Sequence, residues 1–435
     1  MTHAQIGYAG IAVLLALIAL RTPIGVALLS VSFGGIWILM GEKAAWGALG
    51  VVPYNFAASW QLSSVPMFLL MGFFCFHAGL TKGLFDAARM WLSRMPGGLA
   101  VAAVLGASGF AAVTGSSVAC AAAMGRIAVP EMMRNRYDAG LATGTVAAAG
   151  TIGALIPPSI LMILYGIIAQ VPISKLFLAG VGAGLLTMLS YVAVIVIRTT
   201  LNPALAPKVI EDVSLPARMR ALAEIWPVLL LIAGVFGGLF SGVFSATEAG
   251  AIGASLSMVI AILKRSLTWE VLKNALIETL LTSASLFIIA IGASLLSRFM
   301  ALSGAGGQLA SVVNGFGADP LLLMIGIALI YLVLGMFLEP IGAMLLTLPI
   351  LLPILKTAGV DMVWFGILLT KFLEVGMITP PIGLNVFVIK SVVGDLASTG
   401  TIFRGVMWFL VADLVVVTML IVWPQIIMFL PGIFG

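Results

Sequence analysis

Residues 150–159 read GTIGALIPPS, and residues 376–385 read GMITPPIGLN. Each stretch places a Pro-Pro pair inside an otherwise apolar run. The two lie in register: a shift of 223 residues carries Pro157-Pro158 onto Pro380-Pro381 and Gly153 onto Gly376. The same shift carries Pro130 onto Pro353 and Asp138 onto Asp361. Five coincidences at one spacing indicate an internal repeat. Proline removes a backbone donor and clashes with the preceding turn, so each pair must interrupt a helix. In hydrocarbon, a released amide or carbonyl costs several kcal/mol unless it meets protein, water or an ion.

Working outward, each break follows a segment that reads as an out-and-back hairpin. The hairpins cover 98–132 and 320–356, and the interrupted helices cover 139–169 and 362–393. The hairpin tips are polar: Thr114-Gly115-Ser116-Ser117 in the first and Glu339-Pro340-Ile341-Gly342 in the second. Around the breaks lie Gly150, Thr151, Gly153, Pro157, Pro158 and Ser159, and Glu374, Gly376, Thr379, Pro380, Pro381, Gly383 and Asn385. Carbonyls, hydroxyls and an amide at close approach form a hard-oxygen set suited to Na⁺. Half-helix N-termini beyond each break suit an anionic group. The bland alternative is that the hydroxyls bond back to their own helices and the glycines serve close packing.

Composition places these units in a bilayer. Of 435 residues, 62% are hydrophobic and 9% charged, against roughly 45–50% and 25% in soluble domains. Mean hydropathy is +1.22. A polytopic membrane protein follows; a disordered chain, a disulfide-stapled secreted domain and a nucleic-acid binder are excluded. The two cysteines, Cys75 and Cys120, sit in apolar runs, and the two histidines are far apart. No zinc-type spacing exists, and a nucleophilic triad would have to rely on His77, so an enzyme is not expected.

Further apolar runs at 5–20, 23–40, 63–80, 173–197, 225–240, 246–263, 275–296 and 403–430 bring the reading to ten crossings and two re-entrant hairpins. Five crossings per half is odd, so the halves insert in opposite senses, an architecture of transporters with a midplane site and alternating access. With the N-terminus outside, all of the 21 Lys and Arg except Lys43, Lys175, Arg298, Lys356 and Lys371 fall on the inner side, which satisfies the positive-inside bias. The C-terminus is then outside as well. Residues 82–94 and 266–274 read as amphipathic helices in the interface. Residues 1–62 and 225–274 read as scaffold, 63–198 and 275–435 as the two repeats, and 199–224 as a polar cytoplasmic connector carrying Lys208, Glu211, Asp212 and Arg218. Four acids lie at depth: Glu248, Glu339, Glu374 and Asp413. Such residues are functional candidates, although Lys371 stands one turn before Glu374, where a local ion pair is the competing reading. Glu248 is a candidate for pairing with a charge across the repeat, and Asp413 for a helix contact.

These residues resemble a known family. Gly115-Ser116-Ser117-Val118-Ala119, Pro130-Glu131-Met132, Gly150 through Ser159, Gly335-Met336-Phe337-Leu338-Glu339, Glu374-Val375-Gly376 and Thr379 through Asn385 are similar to the large, DctM-like permease subunit of tripartite ATP-independent periplasmic (TRAP) transporters. The resemblance covers nearly the whole chain. It departs at Glu339, where the family often has Asp, and at Ala246, where Pro is common. It implies an all-α, inverted-repeat elevator-type carrier in the bacterial inner membrane. It also implies a small four-helix membrane subunit and a periplasmic substrate-binding protein as partners, a carboxylate such as a C4-dicarboxylate or sialic acid as substrate, no cofactor, and Na⁺ as the coupling ion. On this basis one Na⁺ is expected near Ser116, Ser117, Gly150, Gly153 and Pro157. A second is expected near Glu339, Gly342, Gly376, Thr379 and Pro380, with substrate touching Thr114, Pro158, Ser159, Pro381 and Asn385. Alternative designs are a self-sufficient Na⁺ or H⁺ symporter for dicarboxylates and a passive anion channel.

Overall fold

In the computed structural model, residues 1–207, 214–315 and 320–434 are described, with backbone alone at 312–315 and 320. Lys208, Glu211 and Asp212 of the expected connector lie outside them. The described chain is helical, and the five repeated residues each have a place in it. Asp138 and Asp361 are N-caps: their carboxylates accept the Leu141 and Trp364 amides at 2.8 and 2.9 Å and so begin the two interrupted helices. The first of these runs Ala139–Gly150, tightens into a 3₁₀ turn at Thr151–Ala154, and resumes at Ile160–Ala169. The second runs Met362–Gly376 and resumes at Leu384–Val393. Both Pro-Pro pairs sit in the gaps, and both of their peptide bonds are cis. Neither stretch is a straight rod.

Before each gap stands a helical hairpin. The first is Gly98–Thr114 and Ser117–Arg134; the second is Pro320–Phe337 and Pro340–Thr357. The shift of 223 carries Ser117–Arg134 onto Pro340–Thr357 end to end, and Lys82–Leu92 onto Ala305–Gly315. It also brings Ile24–Met40 onto Ala246–Leu263 to within a residue. The correspondence therefore reaches helices that the sequence pattern leaves unpaired.

Several elements differ from the sequence reading: Ala305–Gly315 is a helix not foreseen, and the run read as one span at 403–430 divides at Trp423-Pro424 into Thr399–Val422 and Gln425–Phe434. Glu42–Ala57 is a helix not foreseen, because Glu42, Lys43, Pro53 and Asn55 dilute its apolar face. Trp269–Ser303 is one continuous helix of 35 residues, where the sequence reading has an interfacial piece at 266–274 and a span at 275–296. Its first 23 residues, up to Ile291, contain neither Gly nor Pro to stop it. Leu215–Glu224, inside the expected connector, is helical, and the Trp91 indole of Lys82–Leu92 donates to the Arg218 carbonyl at 3.3 Å.

Among the described residues, six helices are long and apolar enough to cross a bilayer alone: Trp60–His77, Ile173–Leu201, Ala246–Leu263, Trp269–Ser303, Pro340–Thr357 and Thr399–Val422. The pair Leu215–Glu224 and Trp226–Phe240, bent by 45°, makes a seventh if counted as one span. The ten crossings are thus not ten full-length rods. The remaining apolar helices, His3–Ala19 and Ile24–Met40 among them, are 10–17 residues long, at or below the short end of the spanning range. Pro340–Thr357 passes on length and composition although the chain has just turned back at Leu338-Glu339, a distinction that hydropathy cannot make.

The two repeats interlock at the breaks. The half-helix Ile160–Ala169 packs on Pro340–Thr357 and Met362–Gly376 of the other repeat, while Leu384–Val393 packs on Ser117–Arg134 and Ala139–Gly150. Ile173–Leu201 and Thr399–Val422 contact each other and lean on both interrupted helices. The apolar core follows this exchange: one buried cluster joins Ile160–Ala169 to Phe365 and Leu368, and the other joins Val146 and Met124 to Val386 and Ile389.

Candidate cation and substrate site

The first hairpin tip is seated directly on the first break. Gly115 has φ +61°, and a Cβ there would lie 2.1 Å from the Pro158 carbonyl oxygen, a contact only glycine permits. A Cβ on Gly153 would lie 3.0 Å from the Ser116 carbonyl, and one on Gly150 would lie 3.2 Å from the Ser117 carbonyl and 3.1 Å from Asn385 Nδ2. Small residues here bring the main chain of tip and break together. Asn385 comes from the other repeat: its amide donates to the Ala147 carbonyl at 3.3 Å, and its backbone N–H donates to the Met377 carbonyl at 3.0 Å. Ser116, Ser117, Gly150, Gly153, Pro158 and Asn385 thus gather in one place.

A small cleft of about 60 Å³ opens between the two tips. Gly115–Val118 and Glu339–Ile341 face each other across it, with Ala154, Ile160, Leu161, Glu374 and Met377 completing the walls. The first residues of three helices, Ser117–Arg134, Ile160–Ala169 and Pro340–Thr357, line it, together with Glu374 near the end of Met362–Gly376. Helix N-termini offer amide donors and positive dipole ends; the helix end and Glu374 offer oxygens. At roughly 30 Å³ per water, the cleft has room for a small cation and little more. Among the described residues, Ser117 Oγ, Glu374 Oε2 and Asn385 Oδ1 are buried without a hydrogen-bond partner. Such atoms are costly to leave bare; Ser117 and Glu374 line the cleft, and the Asn385 amide lies beside Gly150.

Other expected ligands are already engaged. The Thr114 and Thr379 hydroxyls donate to the Phe110 and Val375 carbonyls at 2.9 and 2.7 Å. Ser116 and Ser159 are N-caps, accepting the Ala119 and Met162 amides at 3.4 and 3.3 Å. Glu339 caps Pro340–Thr357 through the Gly342 amide at 3.0 Å. Their remaining lone pairs stay available. The second set is looser than the first. Gly376 abuts the Gly335 backbone, with a Cβ placed 2.6 Å from its Cα. Thr379 and Pro380 are half-buried and Pro381 exposed, whereas Pro157, Pro158 and Ser159 are buried; Thr379, Pro380 and Pro381 do not line the cleft.

Two charge readings change. Lys371 pairs with Asp413, Nζ to Oδ1 2.6 Å, not with Glu374. Among the described residues Glu248 pairs with no distant charge: its carboxylate accepts the Ser245 amide and hydroxyl at 2.8 and 2.7 Å in a capping box. Sequence spacing could not show the Lys371 partner, which lies on another helix. Cys75 and Cys120 are buried free thiols.

A second, much larger cavity of about 1150 Å³ lies away from the cleft. Asn55, Gln61, Gln170, Ser245, Ser294 and Ser297 give it a polar wall, and among the described residues Arg298 is the one charged side chain lining it. It sits on the face that carries Trp60 and the Gln170 end of Ile160–Ala169.

Two interlocked copies of a hairpin and a broken helix, spread through a chain of membrane helices, define a multi-pass transporter. Residues 11–426 match the family described as the DctM component of the tripartite ATP-independent periplasmic transporter, and the chain belongs to it. A C4-dicarboxylate TRAP transporter large permease protein DctM of Pseudomonas aeruginosa is 35% identical over 408 residues, covering 92% of this chain and 93% of that protein. A sialic acid TRAP transporter large permease protein SiaM of Vibrio cholerae is 29% identical over 93% of this chain and 95% of its own length. Among solved structures, the YdaH transporter of Alcanivorax borkumensis aligns over 89% of this chain and 90% of that one, with a TM-score of 0.64 at 15% identity, a likeness of fold alone. The chain is a transporter permease and not an enzyme.

Proposed function

We propose that this permease couples inward movement of Na⁺ to uptake of a small organic carboxylate across the bacterial inner membrane. The observation that carries the reading is the set of buried side-chain oxygens of Ser117, Glu374 and Asn385 that lack a hydrogen-bond partner among the described residues, near the closely packed main chain of the first tip and break. Ser116, Ser117, Gly150, Gly153 and Pro157 hold one ion. Glu339, Gly342, Gly376, Thr379 and Pro380 hold a second, on the side where the wall is more open. The substrate carboxylate meets the helix N-termini near Thr114, Pro158, Ser159, Pro381 and Asn385. The cleft is too small for an organic acid as it stands, which supports a cycle in which the hairpins and broken helices move as a body against the outer helices. In that elevator-type cycle the large cavity, with Arg298 on its wall, is the periplasmic approach. C4-dicarboxylates and sialic acid are the first substrates to test, because relatives carry those names. The reading includes a small four-helix membrane subunit and a periplasmic binding protein as partners, and periplasmic N- and C-termini.

The test is uptake into proteoliposomes with both candidate partners added, using labelled succinate and sialic acid. A Na⁺ gradient drives accumulation on this reading, and a proton gradient alone does not. Accumulation driven by protons in the absence of Na⁺, or flux indifferent to both gradients, contradicts it.

A further inference from the structure

Lys371, Asp413 and Tyr191 are fully buried, and none lines the cleft. Besides the Lys371 ammonium, Asp413 accepts the Tyr191 hydroxyl, at 2.8 Å to Oδ1 and 2.9 Å to Oδ2. The Tyr191 and Thr151 hydroxyls are 3.1 Å apart, and Thr151 donates to the Ala148 carbonyl at 2.7 Å. Lys371 Nζ also lies 5.6 Å from the centre of the Tyr191 ring. The cluster thus ties the helix before the second break to Ile173–Leu201, to Thr399–Val422 and to the turn at the first break.

Lys371 stands three residues before Glu374 on one helix, a spacing at which side chains meet. Yet Glu374 makes no ion pair among the described residues, and its Oε2 is bare. A buried ion pair adds little stability over an apolar pair of similar volume, so stability alone does not account for Asp413. We propose that Asp413 and Tyr191 are positioning residues that hold the Lys371 ammonium away from Glu374, leaving a net negative charge beside the cleft for the coupling cation. Asp413 neutralises the ammonium. Tyr191 fixes the carboxylate, with its hydroxyl packed against that of Thr151 at the first break. Freed from Asp413, the ammonium turns to Glu374 and takes the place of the mobile ion. This inference rests on the cation-coupled reading above.

The test is a charge-removal series on the full transporter, read as the Na⁺ concentration for half-maximal uptake. Asp413→Asn raises that concentration at least tenfold. Tyr191→Phe, which keeps the ring, raises it three- to tenfold. Lys371→Gln combined with Asp413→Asn removes the released ammonium and returns the value to within about threefold of the parent. A merely structural role gives no such recovery. The proposal is overturned if Asp413→Asn leaves the Na⁺ dependence unchanged, or if the double variant is as impaired as the single one. If the parent responds to another monovalent cation instead, the sodium reading falls and the same series, read with that cation, decides the positioning role. A parent that responds to no cation overturns both.

Discussion

Ser117→Ala separates cation binding from stability because the two effects carry opposite signs. The hydroxyl is buried beside the Glu374 carboxylate and makes no hydrogen bond of good geometry among the described residues. An unsatisfied buried donor or acceptor costs about 1–3 kcal/mol, so its removal leaves the sodium-free protein as stable as before or more stable. In Na⁺ the effect reverses. A ligand at a hundred times its Kd stabilises by about 2.7 kcal/mol, and tenfold weaker binding removes about 1.4 kcal/mol of that. The assay is thermal unfolding of purified protein in Na⁺ and in an organic-cation buffer of equal ionic strength. The parent gains stability in Na⁺; Ser117→Ala starts no lower and loses at least half of the gain. A variant destabilised without Na⁺, or one that retains the full sodium gain, refutes the reasoning.

Other consequences follow from packing and orientation. Gly405→Ala places a Cβ 1.8 Å from the Gly140 carbonyl oxygen. With backbone on both sides, the cost is about 3 kcal/mol or more, read as loss of monodisperse protein after extraction; Gly47→Ala, with nothing within 4 Å, leaves yield unchanged. Replacing Pro157-Pro158 by Ala-Ala permits the first helix to close and abolishes uptake while the protein still reaches the membrane. Ala206 is buried and unsuited to surface labelling, whereas Ala204 is exposed. A cysteine at Ala204 reacts with an impermeant reagent only after cells are opened, and reaction in intact cells reverses the orientation.

The parts of this fold legible in the sequence are those written in local chemistry. Pro-Pro pairs announce the gaps, Asp138 and Asp361 are the N-caps that spacing alone paired, and glycines at 115, 150 and 153 mark backbone contact. The half-helix exchange between repeats is not local, so nothing in the sequence order announces that Asn385 reaches Ala147. The Lys371–Asp413 pair is hidden for the same reason: an i,i+3 acid stands nearer in sequence than the true partner. Glu42–Ala57 escapes because a helix with mixed polarity and an internal Pro53 resembles a loop. Counting hydroxyls also does not reveal that Thr114 and Thr379 donate back to their own helices and so face a ligand only as acceptors.

The central claim is that the first hairpin tip and break, with Glu374 and Asn385, hold a sodium ion. Equilibrium binding of radiolabelled sodium to the purified permease tests it without any transport step. The account predicts saturable binding that potassium does not displace and that Ser117→Ala weakens. Binding that never saturates, or that survives Ser117→Ala unchanged, contradicts it.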